Sequence, residues 1–220
     1  MRVLELFAGS RSIGRAAEEL GYEVCSVDIN DFKGIDIVKD IEFLTVDDLP
    51  WIPSIGWGSP MCTTYSIAAI STHRDMGVPK TDFAAKSDRV IKNVLKLYKD
   101  ILKLNPNFKW YLENPRGYLR KMDFMQELPI TTVTYCSYGA KNMKPTDIWS
   151  NNLCTLINYN GWRPRKMCHN YKYDKWGNVI NKHCHHESAR RGAKTGTQGL
   201  KNNYERSKIP RELCIEILKS

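Results

Sequence analysis

Three short segments carry side chains suited to covalent chemistry. GWGSPMCTTYS (56–66) places Cys62 two residues after Pro60, just past a short apolar run. A thiolate is the best nucleophile among side chains, and a polar loop or helix start lowers its pKa. The bland alternative is a small buried hydrophobe, the common fate of a lone cysteine. WYLENP (110–115) sets an acid, Glu113, and an amide, Asn114, at the end of another apolar run. Glu113 there is able to give or take a proton, and Asn114 to orient a neighbour. The third segment, ELFAGSRSIG (5–14), is a turn of small residues between an apolar run and a helical pattern. Small residues let backbone approach a ligand, and a helix start favours polar ligand groups.

The elements that must position these groups follow from periodicity. VLELF (3–7) reads as a strand. IGRAAEELG then puts Ile13, Ala16, Ala17 and Leu20 on one helical stripe closed by Gly21, and EVCSVDIN is a strand ending in acid at Asp28. Strand, small-residue turn, helix, strand and acid open a nucleotide-binding α/β sheet. Asp28 is placed to accept ribose hydroxyls, and Asp40, after IDIVKDI, to accept an adenine amino proton. The alternative is a plain turn with two surface acids. The spacing is not GxGxxG, which disfavours a nicotinamide cofactor. SIGWGSP (54–60), WYLEN (110–114), PITTVTYCSYG (129–139) and TDIWSN (146–151) read as further strands, and SDRVIKNVLKLYKDILKL (87–104) as an amphipathic helix. Alternating strands and helices up to about residue 150 predict an α/β, doubly wound, mostly parallel sheet in which both Cys62 and Glu113 follow strand ends.

After residue 150 the periodicity disappears, and a helix resumes only at IPRELCIEILKS. The expected organisation is a catalytic domain over 1–150, a small irregular lobe over 151–204 and a closing helix over 205–220. The lobe is basic. Residues 161–208 hold 12 Lys/Arg against 3 Asp/Glu, so this stretch carries the whole net charge of +9. A neutral body with a basic lobe predicts a polyanionic partner, nucleic acid being the commonest, against the plainer reading of a solvated surface. RGAKTGTQG (191–199) is donor-rich and suited to phosphate and groove contacts. Cys168, His169, His183, Cys184, His185 and His186 form two clusters about 15 residues apart. They suggest a zinc site, with Cys168, Cys184 and His186 as candidate ligands, although the spacing fits no standard finger. Exposed polar histidines and a loop thiol are the alternative.

Together these motifs resemble the DNA (cytosine-5)-methyltransferases almost end to end, and the text variants resemble short phage or prophage members. In that resemblance ELFAGSRSIG matches the S-adenosyl-L-methionine loop, implying cofactor contacts from Phe7, Ala8, Gly9, Ser10, Ser12 and Ile13. Asp28-Ile29 match the ribose-binding acid and its neighbour, Asp40-Ile41 the adenine contact, and Pro60 the proline of the nucleophile loop. Cys62 becomes the nucleophile and Glu113 its acid partner, while SKIPRELC, including Ser207, matches the segment closing the cofactor pocket. Ser66, Asn114 and Lys144 would touch the substrate base, and Arg190, Arg191, Lys194, Thr195 and Thr197 the nucleic acid. The implied fold is a Rossmann-like S-adenosylmethionine-dependent methyltransferase domain, and the implied activity methylation of cytosine C5 in double-stranded DNA by base flipping. C5 methylation of a structured RNA and a silent DNA-binding protein are the alternatives.

The departures are specific. Ser10-Arg11-Ser12 stands where the family is glycine-rich, Met61 replaces a second proline and Thr63 a glutamine. The strand matching Gln-x-Arg-x-Arg reads Asn142-Met143-Lys144-Pro145-Thr146, so Lys144 stands at the first arginine and the second is lost, and Ser207-Lys208 replaces an Asn-Ala/Ser pair. Composition excludes other classes. No apolar run approaches the roughly 20 residues of a membrane span, and MRVLELFAGS lacks the pattern of a secretory signal. Seven irregularly spaced cysteines argue against a disulfide framework. A cytoplasmic monomer with reduced thiols is the expectation.

Overall fold

The computed structural model describes residues 1–168, 172–173, 175–176, 179–181 and 203–220. The chain opens β1 (Arg2–Leu6), α1 (Ser12–Glu19), β2 (Glu23–Asp28), β3 (Ile37–Val38) and β4 (Ile55–Gly58). A short helix α2 (Ile70–His73) and a hairpin of β5 (Arg74–Asp75) and β6 (Val78–Pro79) lead into the long helix α3 (Asp82–Leu104). β7 (Lys109–Pro115), β8 (Ile130–Thr134) and β9 (Pro145–Ser150) follow, then a small antiparallel pair of β10 (Lys172–Tyr173) and β11 (Val179–Asn181), and last the helices α4 (Asn203–Ser207) and α5 (Arg211–Leu218).

Seven strands form one sheet in the order β3-β2-β1-β4-β7-β9-β8. The first five are parallel, whereas β9 runs antiparallel to both β7 and β8. The mostly parallel, doubly wound sheet expected from the alternation is therefore present. The chain builds outward from β1 to β3, then returns to the other side of β1 with β4. That reversal makes the carboxyl ends of β1 and β4 a topological switch point, where open α/β sheets bind ligands.

Strand alternation divides the core into two faces. Val3, Ile55, Trp57, Tyr111, Val133 and Ile148 face α1 and α5, meeting Ile13, Ala17, Leu213 and Ile217. Leu4, Leu6, Val27, Leu112 and Trp149 face α3, meeting Ile91, Val94, Leu97, Tyr98 and Ile101. The α3 stripe begins at Asp82 rather than at residue 87, because Thr81 caps the helix by accepting the Ala84 N–H at 3.2 Å. The β-branched run at 129–139 is a strand only to Thr134; Tyr135–Tyr138 turns as a 3₁₀ helix ending at Gly139, whose φ is +84°. Beyond β9, Leu153 and Trp162 are buried in the α5-side core, and the Trp162 indole N–H donates to Glu216 at 3.0 Å. Arg165 bridges to Glu212 and Glu216 of α5.

Glu5 is the one acid on the inward face of β1 and is almost fully buried. It accepts the Ile13 N–H at 3.0 Å and the Ser26 hydroxyl at 3.2 Å, so it caps the first turn of α1 from beneath. Burial pushes its carboxyl up to about 7, against the pull of the Gly14 and Ile13 amides, Ser26 and Arg11. Gly14 makes room for it: a Cβ there would lie 2.6 Å from Glu5 Oε2. Gly14→Ala should lower the unfolding free energy by roughly 1–2 kcal/mol despite alanine's better helix propensity, because the buried carboxyl must give up its amide bonds. Denaturant unfolding measures this, and an unchanged or higher midpoint would contradict the Glu5 cap.

Candidate active site

The loop after β1 is tightly wound. Phe7 at φ +58°, Gly9 at +29° and Arg11 at +51° all take left-handed backbone. For Arg11 that conformation costs roughly 1 kcal/mol relative to glycine. The arginine side chain offsets the strain, since its Nε donates to Ser26 Oγ at 3.2 Å and its guanidinium pairs with Glu18 at 2.5 Å. Arg11 thus holds a left-handed turn position without glycine. Ala8 donates its N–H to Val27 O at 3.1 Å, Gly9 donates its own to Asp28 Oδ2 at 3.1 Å, and the Ser10 and Ser12 hydroxyls are 2.9 Å apart. The loop thus closes on the acid at the end of β2, whose other oxygen accepts from the Asn30 N–H at 2.9 Å and its amide nitrogen at 3.3 Å. Ile29 beside it is exposed.

Asp40 and Ile41 behave differently from each other. Asp40 caps the turn Ile41–Phe43 and pairs with Lys86 of α3 at 2.6 Å, which with the Glu42 amide holds its carboxyl below the usual range against a desolvation that raises it. Ile41 turns into the α3-side core.

Cys62 follows β4, and Glu113 and Asn114 sit one strand away near the end of β7. Asn114 ties the two segments together, donating from Nδ2 to Pro60 O at 3.0 Å. Its Oδ1 is buried with no donor among the described residues, a demand that a bound ligand's N–H would meet. Glu113 is buried and accepts the Tyr135 hydroxyl at 2.9 Å. Lys144, at φ +29°, lies with Nζ 4.6 Å from the centre of the Tyr135 ring and donates to Arg206 O of α4 at 2.9 Å. Burial and then Glu113 push the Cys62 thiol up, while Lys144 and Arg206 draw it down. An acid, a thiol and two cations therefore converge at the carboxyl edge of β4 and β7.

The sequence matches no protein-family model and aligns with no curated protein. Solved structures do match. A protein described as a DNA modification methyltransferase encoded within an E. coli prophage superposes with a TM-score of 0.53 at 13% identity, over 76% of this chain and 52% of the other. The S. pombe Dnmt2 methyltransferase superposes with a TM-score of 0.50 at 18% identity, over 68% and 50%. The fold is that of these methyltransferases. The chain spans about half the length of each structure it matches. Within this fold β9 runs opposite to β7, a reversal that no periodicity in the sequence indicates.

Of the other residues singled out above, Ser12 Oγ accepts the Ile209 N–H at 3.2 Å, bringing the segment before α5 onto the loop after β1. Ser207 is exposed, its hydroxyl donating to Tyr204 O at 2.8 Å. Ser66 ends the turn Thr63–Tyr65. Arg190, Arg191, Lys194, Thr195 and Thr197 lie outside the described residues, as do Cys184 and His186. Cys168 is buried, its N–H donating to Thr134 Oγ1 at 2.8 Å. Among the described residues no three His, Cys, Asp or Glu side chains assemble a metal site, so the zinc expectation finds no support there. The six described cysteines are free thiols, and no helix among the described residues is long and apolar enough to cross a membrane.

Sequence reasoning missed Glu5, Tyr135 and Arg206. Glu5 was signalled by a lone acid inside VLELF, where period-2 alternation sends it inward with Val3. Nothing local marks Tyr135 or Arg206, because each reaches the site through tertiary packing.

Proposed function

We propose that the protein transfers a methyl group from S-adenosyl-L-methionine to C5 of cytosine in double-stranded DNA. One observation carries the reading: Cys62, Glu113, Asn114 and Lys144 meet at the switch-point edge of a methyltransferase fold, with Asn114 clamping the loop that leads to the thiol. The cofactor would be held by the loop Phe7–Ile13 and by Asp28, with Ile29 beside the adenosine; bound there, it supplies an electrophilic methyl.

Cytosine C5 is too weak a nucleophile to take that methyl unaided. Addition of the Cys62 sulfur to C6 makes C5 enamine-like, and Glu113, protonated towards N3, stabilises the negative charge that develops on the ring. Once C5 has taken the methyl, with the cofactor's neutral thioether as leaving group, loss of the C5 proton to a base expels Cys62. The target ring must leave the helix stack to reach the thiol. Tyr135 holds the Glu113 carboxyl in place, and Lys144 with Arg206 offsets charge near the sulfur.

Methyl incorporation from labelled cofactor into duplex DNA and into transfer RNA, followed by bisulfite-type mapping of the DNA, tests the reading. Label in DNA at cytosine supports it. Label only in RNA moves the substrate to structured RNA, and no label in either with DNA binding retained leaves a binding protein.

The basic segment should bind DNA mainly through phosphates. Every phosphate that a side chain neutralises adds about 0.9 to the steepness of the log–log salt dependence. Replacing Arg190, Arg191 and Lys194 with alanine should therefore flatten that dependence by up to roughly three units on all sequences alike. An unchanged slope would reduce the +9 segment to a solvated surface.

A further inference from the structure

The turn that follows Cys62 is held by a buried charge that the chemistry above does not use. Arg74 opens the β5–β6 hairpin, and its side chain is completely buried. Its Nε donates to Thr64 O at 2.9 Å, two residues past the nucleophile. Nη1 donates to Gly77 O in the hairpin turn at 3.1 Å, and Nη2 to Ala84 O in the first turn of α3 at 3.3 Å. The same two nitrogens grip the Asp88 carboxylate of α3 at 3.1 and 2.6 Å. Tyr65 completes the cluster. Its ring centre lies 4.4 Å from the guanidinium carbon, and its hydroxyl donates to Asp88 Oδ1 at 2.7 Å.

Stability is a poor reason for this arrangement. The attraction within a buried ion pair is largely cancelled by the hydration its charges lose, and packed apolar side chains of similar volume often stabilise as well or better. What an apolar pair does not supply is direction. A guanidinium carries its N–H donors in a rigid plane, and here they point at carbonyl oxygens of the nucleophile turn, the hairpin and α3. The turn Thr63–Tyr65 is thereby anchored through Thr64 O and the Tyr65 hydroxyl. Other contacts confine it from the remaining sides. Cys62 O accepts the Tyr65 N–H at 3.0 Å, and the backbone at Gly117 is so close that a Cβ there would stand 2.6 Å from Tyr65 O. Before the thiol, Asn114 Nδ2 holds Pro60 O at 3.0 Å. Cys62 therefore sits between two fixed points, Pro60 and Thr64, each two residues away.

We propose that Arg74 is a positioning residue for the nucleophile: through Thr64 it sets where the Cys62 sulfur stands, without touching substrate or cofactor. The inference rests on the assignment of Cys62 to the attack on C6. Such an attack needs the sulfur about 3–3.5 Å from the carbon and aligned with it, and a displacement of about 1 Å costs roughly 10²-fold in rate. Arg74 removes that freedom beyond the thiol, as Asn114 does before it. Its contacts end at the nucleophile turn, the hairpin, Met122 and α3, and none reaches the loop after β1. Its loss should therefore appear in kcat and leave cofactor binding untouched.

The test uses the triple variant Tyr65→Phe, Arg74→Met, Asp88→Leu, which makes the cluster apolar at once and leaves no charge orphaned in the core. Four quantities are measured: kcat for methyl transfer into duplex DNA, the rate of covalent adduct formation with 5-fluorocytosine duplex, the affinity and stoichiometry of S-adenosylmethionine binding, and the unfolding midpoint. The triple variant should bind cofactor at full stoichiometry with a Kd within about twofold of wild type, while kcat and the adduct rate both fall about tenfold or more. Arg74→Lys keeps a charge for Asp88 but lacks the planar fork, so it should lose at least about fivefold in kcat with the same cofactor Kd. That single variant decides the matter where the triple variant does not fold. A folded variant with kcat within about twofold of wild type overturns the proposal. So does a fall in kcat matched by an equal fall in cofactor-binding sites, which would make Arg74 a support of the fold alone. A wild-type chain that forms no 5-fluorocytosine adduct overturns the assignment of Cys62, and the proposal with it.

Discussion

Replacing Cys62 with serine should remove methyl transfer while leaving S-adenosylmethionine binding nearly unchanged. Serine suits the backbone turn at φ −92°, and in the proposed mechanism the thiol meets the base while the loop after β1 holds the cofactor. A serine hydroxyl is far less able to add to C6, since it is hardly ionised and a poorer nucleophile than sulfur. Wild-type chain with DNA containing 5-fluorocytosine should form a complex that survives denaturation, because fluorine does not leave as the C5 proton does. The serine variant should form none. Burial and Glu113 hold the thiol protonated at neutral pH, so alkylation of Cys62 should accelerate as pH rises. Turnover by the serine variant within tenfold of wild type would refute the assignment.

Glu113→Gln should lower turnover by roughly 10²–10⁴-fold, the usual loss when a positioned proton donor is removed. The substitution is nearly isosteric, and glutamine's oxygen is still able to accept the Tyr135 hydroxyl that Glu113 accepts at 2.9 Å. The fold and the clamp from Asn114 to Pro60 should therefore persist, and the effect should fall on kcat, with cofactor affinity unchanged. Single-turnover methylation with equilibrium binding of the cofactor separates the two. A variant that loses cofactor affinity instead, with kcat preserved, would place Glu113 in the wrong half of the site.

Much of the framework was legible because it depends on local pattern. The run VLELF, the stripe Ile13-Ala16-Ala17 and the acid Asp28 each sit where alternation or a 3.6-residue repeat puts them. The placement of Cys62 and Glu113 at strand ends followed from the same logic, whereas the pairing of those two strands is a long-range contact that no local pattern encodes. Other features depend on pairing between distant segments. The antiparallel insertion of β9 between β7 and β8 leaves no trace in residues 145–150, whose side chains alternate the same way in either direction. Nothing local marks Arg74, which is buried because Thr64, Gly77 and Asp88 converge on it from three separate elements. Asp40 looked available to a ligand until Lys86, 46 residues later, claimed one of its oxygens.

The helix α5 covers the face of the sheet that α1 leaves open, and Leu213, Cys214, Ile217 and Leu218 are all buried there against Val3, Ile55 and Tyr111. This sets an order of assembly during synthesis. The α3 face can close as soon as β7 has emerged, because α3 precedes it in the chain. The other face waits for residues 211–218, made some 60 residues after β9. At ribosomal speeds of about 5–20 residues per second, that apolar surface stands uncovered for several seconds while the basic segment is being made. A nascent chain stalled inside that segment would already hold Cys62 and Glu113, yet would carry one bare side of its sheet, the kind of surface that chaperones bind and that drives aggregation.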